Sequence, residues 1–530
     1  MPDRDPDDGP PADLDFSTAE RNLWDAYRYG RQLDLSTGRA ADDDPLADDT
    51  DWAPERRIRG FVIVRLLLRG PAPHTGHAAA VRLKGACVTG FLDLSGAETG
   101  TLLELVDCKL EMPLRLTGAQ ANSVHLRHCW IPRVEAEGFT SRGSLLLEQC
   151  LVTDGITIQQ AQIGMDFSLS KSTVRVGAPG PAAVDADGLT VAQDVIADSL
   201  RLTGAMSLRG ANIGGDFSLR GSALRNPDGT ALHAPRITVA HEMILSWGSG
   251  PESLPPGEPE ADLRPRVEGR ICLDGGTFGT SLVINRAVVA LGQHQNLSLR
   301  RIQTPELVFN PDLRFDAWNH LRPVVDVSHA TVGILRDSPT SWPRDLAMLA
   351  MSGFRYGYLS PLRHFPLTER LAWVESATPE YSPEPYDALA ATLRASGDDH
   401  AADMVLLGKR RRRRQQFPAP LKIWEYTQDL TFGYGYLPGR AWIIIQVLWA
   451  YATVWFANFP PPPQKPGEGL AWSPPAYALD LLLPVVDLGQ ASAWHPTGAS
   501  LFISWVLIIT GWILTTIVTA GAAKVVFRPD

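Results

Sequence analysis

Three cysteines at an interval of twenty-one residues, Cys108, Cys129 and Cys150, are the residues in this 530-residue chain whose type and spacing most invite chemistry. Thiols repeated at a fixed interval can bridge or share a metal ion if the fold stacks them. Cys87 precedes them by another twenty-one residues, and His125 and His128 lie beside Cys129. Elsewhere in the surrounding pattern, however, Ala and Ser fill the equivalent place, as a small buried packing residue would. We therefore read the three as stacked core residues, with Cys87 offset by one place, and expect neither metal nor cofactor. Asp93, Glu104, Asp166 and Asp216 are isolated outward carboxylates and nominate no acid and base pair. No glycine-rich fingerprint follows a strand and opens a helix, and P-loop, HExxH, GxSxG and CxxC motifs are missing. The sequence thus leans away from an enzyme without naming a reaction.

A second constellation is a run of six cations, Lys409, Arg410, Arg411, Arg412, Arg413 and Arg414. No aromatic stacking platform interleaves them, and the net charge of −10 argues against a general nucleic-acid binder, so no nucleic-acid partner is expected. Six cations some thirty residues before an apolar helix instead match a juxtamembrane segment, which gains about 1 kcal/mol per residue near anionic lipid.

The elements that must position these groups form a ladder over 81–336. The middle residues of short apolar triplets fall at Leu83, Leu94, Leu105, Leu116, Leu126, Ala136, Leu147, Ile158 and Leu169, in steps of ten or eleven. The steps resume after insertions at Ala186, Ala197, Leu208 and Leu219. Alternation such as Leu92-Asp93-Leu94 has the period of a strand, and Gly, Ser and Thr punctuate it. Short strands at this interval without hairpin turns read as sides of a coil, with two units to a turn of about twenty-two residues. Stacked at about 4.8 Å, roughly ten coils make a rod on the order of 50 Å long. Insertions near 177–181, 226–230 and 249–265 leave the core undisturbed and are the first places to expect a binding surface.

Around the ladder, residues 1–15 are acidic and expected to be disordered. Residues 16–80 read as a helical cap on the open N-terminal rung, with Ser17 or Thr18 and Glu20 forming a capping box and a second helix running from Pro54 to Gly70. Residues 337–416 read as a helical linker ending in a hairpin, Tyr386 to Ala395 and Ala401 to Arg414.

Residues 417–530 read as a membrane domain. Apolar runs at 442–459 and 499–520 are long enough to span the hydrocarbon core, the first barely so. Basic residues before the first run and after the second, with only Lys465 between them, place both termini in the cytoplasm and make the chain a multi-pass membrane protein. Between the runs, 477–490 is apolar and too short to span, as an interfacial or re-entrant segment would be. TFGYG at 431–435 looks like a potassium filter but lies before the first helix rather than between the two, so we set it aside.

At GANIGGDFSLRGSAL, residues 210–224, the chain resembles pentapeptide-repeat proteins, in which a small residue and a large apolar one two places later point inward. Ala211 with Ile213 and Ala161 with Ile163 fit. That resemblance implies a mainly β fold, a right-handed β-helix. With WxPERxIRxxVIxxLLL, GYGYLPGRA and LLLPVVDLGQ, the whole chain is similar to a group of actinobacterial membrane proteins labelled membrane-associated oxidoreductase. No residue supports a redox step.

The expectation is a non-enzymatic scaffold: a cytoplasmic solenoid tethered to the bilayer, presenting a rigid face to a protein partner, with self-association possible through the membrane helices. A pore-forming or signalling effector and a membrane-associated oxidoreductase are the alternatives.

Overall fold

Alternating burial turns the apolar triplets into short strands: Leu103, Leu105, Val124, Leu126, Leu145 and Leu147 are all buried, while the residues between them face outward. In the computed structural model, the described residues are 15–47, 52–177, 182–247, 264–315, 323–345, 347–378, 381–416, 418, 438–464, 471–483 and 487–526. The acidic tail except Asp15, the TFGYG run, and most of the insertions at 177–181 and 249–265 lie outside them. The chain divides into a unit of residues 1–388 and a unit of residues 389–530.

The first unit is a β-solenoid of about ten turns. Its described strands pair in parallel, coil upon coil, with register shifts only where longer strands bulge, as between Arg225 and Thr230 and between Asn285 and Val288. One coil comprises Ser123–Arg127, Trp130–Ile131, Val134–Glu135 and Thr140–Ser141, and these stack on Leu145–Glu148, Leu151–Val152, Ile156–Thr157 and Gln162–Ile163 of the next. Each eleven-residue unit is therefore two strands separated by a corner, and a coil has four strand segments.

Two columns of left-handed residues make corners. One contains Gly85, Asp107, His128, Gln149, Lys171, Ser199 and Gly221; the other contains Gly96, Gly118, Gly138, Gln160, Gly188 and Gly210. A side chain in this conformation costs on the order of 1 kcal/mol. The backbone hydrogen bonds to the following coil offset that cost, as from Asp107 N to Arg127 O at 3.0 Å and His128 N to Glu148 O at 2.8 Å. The residue after each corner turns inward, and this is the place that Cys108, Cys129 and Cys150 hold in one column and Ala119, Ala161 and Ala211 in the other.

At the N-terminal end, α1 (Thr18–Arg28) and α2 (Gly60–Arg69) bury Leu23, Trp24, Tyr27, Val62, Ile63 and Leu66. The capping box forms between Ser17 and Glu20. After α1 the chain enters a short strand, Leu33–Asp34, which pairs with Leu83–Lys84. The second helix starts later than Pro54: Arg57–Arg59 is a strand paired with Cys87–Thr89. Backbone groups at an open rung need partners, so these strands extend the ladder while the helices cover its apolar end.

Beyond Arg336 the ladder continues, with Leu349–Ala350 and Arg355–Leu359 adding to it. Helix α3 (Leu367–Ala377) follows, and its Trp373 ring packs at a tilt against Trp342, which packs at a tilt in turn against the buried Phe309. The hairpin is present as α4 (Glu384–Ala395) and α5 (Asp399–Arg414), with Gly397 left-handed at the turn and Asp398 capping α5 through Ala401 N at 2.9 Å.

In the second unit, α6 (Pro438–Asn458), α7 (Pro474–Leu482) and α8 (Ala499–Val526) enclose a core of Ala452, Phe456, Tyr477, Ala478, Leu481, Leu482 and Leu507. Much of the expected interfacial segment is thus helix α7, packed by its buried face against its neighbours; residues 484–486 lie outside the described residues. The contact is close enough that a Cβ on Gly511 of α8 would collide with the Leu482 carbonyl oxygen. Of the two expected spans, one stretch among the described residues, Ala499–Thr516, is long and apolar enough to cross a membrane; Trp442–Asn458 is apolar but shorter.

Candidate functional site

The cysteine column sits inside the solenoid. Cys108, Cys129 and Cys150 are buried at successive rungs: Trp130 N donates to Cys108 O at 3.0 Å, Leu151 N to Cys129 O at 2.9 Å, and Thr173 N to Cys150 O at 2.8 Å. Ser172 takes the next place, its hydroxyl accepting from Cys150 N at 2.9 Å. All three thiols are free, and each lies against main-chain carbonyls, as Cys129 Sγ lies 3.4 Å from Leu105 O. Burial pushes the Cys108 and Cys129 thiols well above the usual thiol range. A thiol that stays protonated is a poor nucleophile and a poor metal ligand. Cys87 pairs in register with Lys109 rather than with Cys108, which is the one-place offset. We expect Cys108, Cys129 and Cys150 to resist alkylation in the folded protein and to react on denaturation. Mass spectrometry after a short iodoacetamide pulse measures this; labelling at native rates would refute the packing role.

The histidines do not join them. His125 points outward, in register with Glu104, and burial is the leading cause that lowers its pKa. His128 turns to Asp107, Nδ1 to Oδ1 at 2.8 Å, and to Asp44 at 3.7 Å. Among the described residues no group of three or more His, Cys, Asp or Glu is arranged to hold a metal ion.

Lys409 to Arg414 occupy the last turns of α5. Cations there favour the negative end of the helix dipole, so the helix itself accounts for part of their placement.

A different constellation emerges on the outer face of the solenoid. Arg201–Thr203 pairs with the strand Ala223–His233, and that strand with Arg266–Cys272, in the registers Arg201↔Ala223↔Arg266 and Thr203↔Arg225↔Glu268. Leu202, Leu224 and Val267 between them are buried, so both columns point outward. The result is a two-by-three array of side chains in which the small Ala223 separates Arg201 from Arg266. The hollow over it measures about 290 Å³ and is lined by Arg201, Leu202, Thr203, Ala223, Arg225, Arg264 and Arg266.

Internal bonds hold the array. Glu268 accepts from Arg225 Nε at 3.1 Å and faces Arg266 Nε at 2.7 Å. Burial alone would raise the Glu268 carboxyl, but these two guanidiniums hold it below its usual range. Arg201 Nη1 donates to Gly221 O at 3.0 Å. Arg264 lies over the Trp247 ring, 5.3 Å from its centre. Chemically, the array offers planar, permanently charged forks at fixed spacing, suited to an anion that takes several of them.

The arginine array is scarcely marked in the sequence. Its only signal was the outward residue of each triplet, and the insertion between Leu245 and Arg266 hid the register of the third rung. The insertion at 226–230, singled out as a place to expect binding, does flank the array: register shifts within Ala223–His233 fall between Arg225 and Thr230 and between Thr230 and Leu232. No protein-family model matches the chain, and no curated protein or solved structure matches it either.

Proposed function

We propose that the chain is a non-enzymatic, membrane-anchored scaffold whose solenoid, taken as a right-handed pentapeptide-repeat-like β-helix, holds an arginine-lined face for an anionic partner protein. The observation that carries this reading is the array around Ala223: outward guanidiniums on successive rungs of a parallel ladder, in a protein of net charge −10. Parallel rungs fix side-chain spacing, and a fixed charge pattern selects partners by complementarity.

The anchor is two helices, near 442–459 and 499–520, crossing the bilayer with both termini in the cytoplasm and the basic run at Lys409 to Arg414 against anionic lipid. Support comes from the apolar side chains exposed on α6 and α8, among them Trp442, Ile443, Val447, Val454, Phe502, Trp505, Ile509 and Ile513. Such an exposed apolar surface would be costly in water and fits lipid or a second copy of the chain.

Crosslinking followed by pull-down from native membranes tests the reading. The protein should stay with the membrane through alkaline extraction, and crosslinks to a partner should map to the coils around Ala223. Release by alkali would remove the anchor. Turnover of a nicotinamide or flavin substrate by the purified protein would replace the scaffold with an enzyme.

A further inference from the structure

We infer that the hollow over Ala223 is a phosphoryl-binding site, so that what seats there carries a phosphate and not merely a carboxylate. The inference deepens the scaffold reading and rests on it for the idea that this face binds a partner.

Three features carry it. Arg201 and Arg266 spring from the same outward column two rungs apart, about 10 Å, with only the methyl group of Ala223 between them. Two long side chains on either side of an alanine leave room for a tetrahedral anion, whose oxygens point in several directions and accept from more than one fork. A planar carboxylate engages one fork well and a second poorly. Next, the charge is lopsided: four arginines line the hollow, and the neighbouring Glu268 is shared by Arg225 and Arg266. A group carrying close to two negative charges matches that excess better than one charge does. Finally, the forks are braced by Glu268, by the Gly221 carbonyl and by the Trp247 ring. Bracing reduces the side-chain entropy that an anion would otherwise have to remove on binding.

The ligand chemistry has two sources, free phosphate compounds and a phosphorylated side chain of the partner protein, and the experiment separates them. Full-length protein in detergent is titrated calorimetrically with inorganic phosphate, pyrophosphate, acetate and a phosphoserine peptide beside its unphosphorylated form. Phosphate or pyrophosphate should bind saturably and at least about tenfold more tightly than acetate, a difference of about 1.4 kcal/mol. Ala223→Leu fills the hollow while leaving every arginine in place and should lose about tenfold or more. Arg201→Lys and Arg266→Lys keep the charge, remove the fork, and should each weaken binding several-fold; they decide the matter if Ala223→Leu fails to fold. Tighter binding of the phosphoserine peptide than of free phosphate assigns the site to a partner's side chain, and the reverse order to a small ligand. Acetate binding as well as phosphate, or phosphate binding that survives the substitutions, overturns the inference. If membranes still yield a crosslinked partner at this face while phosphate does not bind, the scaffold stands and the phosphoryl site falls; loss of both removes both.

Discussion

Replacing Asp337 with alanine is expected to destabilise the C-terminal end of the solenoid by about 3–5 kcal/mol, because it strands a buried guanidinium. Asp337 is fully buried and Arg370 nearly so. The two form a double fork, with Arg370 Nη1 and Nη2 each 2.6 Å from a carboxylate oxygen, and Trp342 Nε1 adds a third bond at 2.8 Å. The face of Arg370 lies 3.6 Å from the centre of the Phe365 ring. This pair joins the strand Thr331–Asp337 to α3, so its loss should free α3 before the coils behind it. Hydrogen exchange should accelerate first within 331–377, with a lower denaturation midpoint. Removing the charge as well, by adding Arg370→Met, should recover part of the loss, since a buried pair is far better replaced whole than halved. A double variant no more stable than Asp337→Ala would mean that the stranded charge is not the cause.

Phe217→Ala should cost about 3–5 kcal/mol for a different reason, the lost transfer energy plus a cavity that a stacked fold closes poorly. Phe217 is fully buried and lies in register between Val195 of the preceding coil and Met243 of the following one. In a solenoid each coil touches only its neighbours, so stability is close to a sum of coil and interface terms. A defect in the middle therefore weakens the coupling between two halves, and denaturant unfolding should broaden or split into two steps. Alanine at the exposed Met165 should change stability by no more than about 0.5 kcal/mol. A single sharp transition for Phe217→Ala, shifted no further than for Met165→Ala, would argue against nearest-neighbour coupling.

The two predictions fall on features that were legible to very different degrees. Phe217-Ser218-Leu219 is one of the triplets whose alternation and spacing announce a strand with an inward face, so its burial follows from period alone. Asp337 and Arg370 lie thirty-three residues apart, outside any repeat, and nothing local pairs them. The same contrast runs through the candidate sites. The cysteine column could be deduced because twenty-one residues is one coil. The arginine array could not, since its third rung arrives forty-three residues after the second, across an insertion whose length only the parallel pairing absorbs. Corners were half legible: glycine marked several, whereas Asp107, His128 and Gln149 take the same left-handed geometry without announcing it.

The amino-acid sequence by itself determined the repeat, its step, the inward identity of its residues, the capping box at Ser17 and Glu20, and the apolar character of 499–520. These are all consequences of short-range periodicity, which local sterics and the hydrophobic effect translate directly into structure. Only the tertiary structure decided that the first and last rungs recruit Leu33, Ile58, Leu349 and Tyr356 into the ladder, that α7 packs against α6 and α8, and that Arg201, Arg225 and Arg266 gather around Ala223. Each of those depends on which backbone lies beside which, and residues far apart along the chain meet only when a coil has closed.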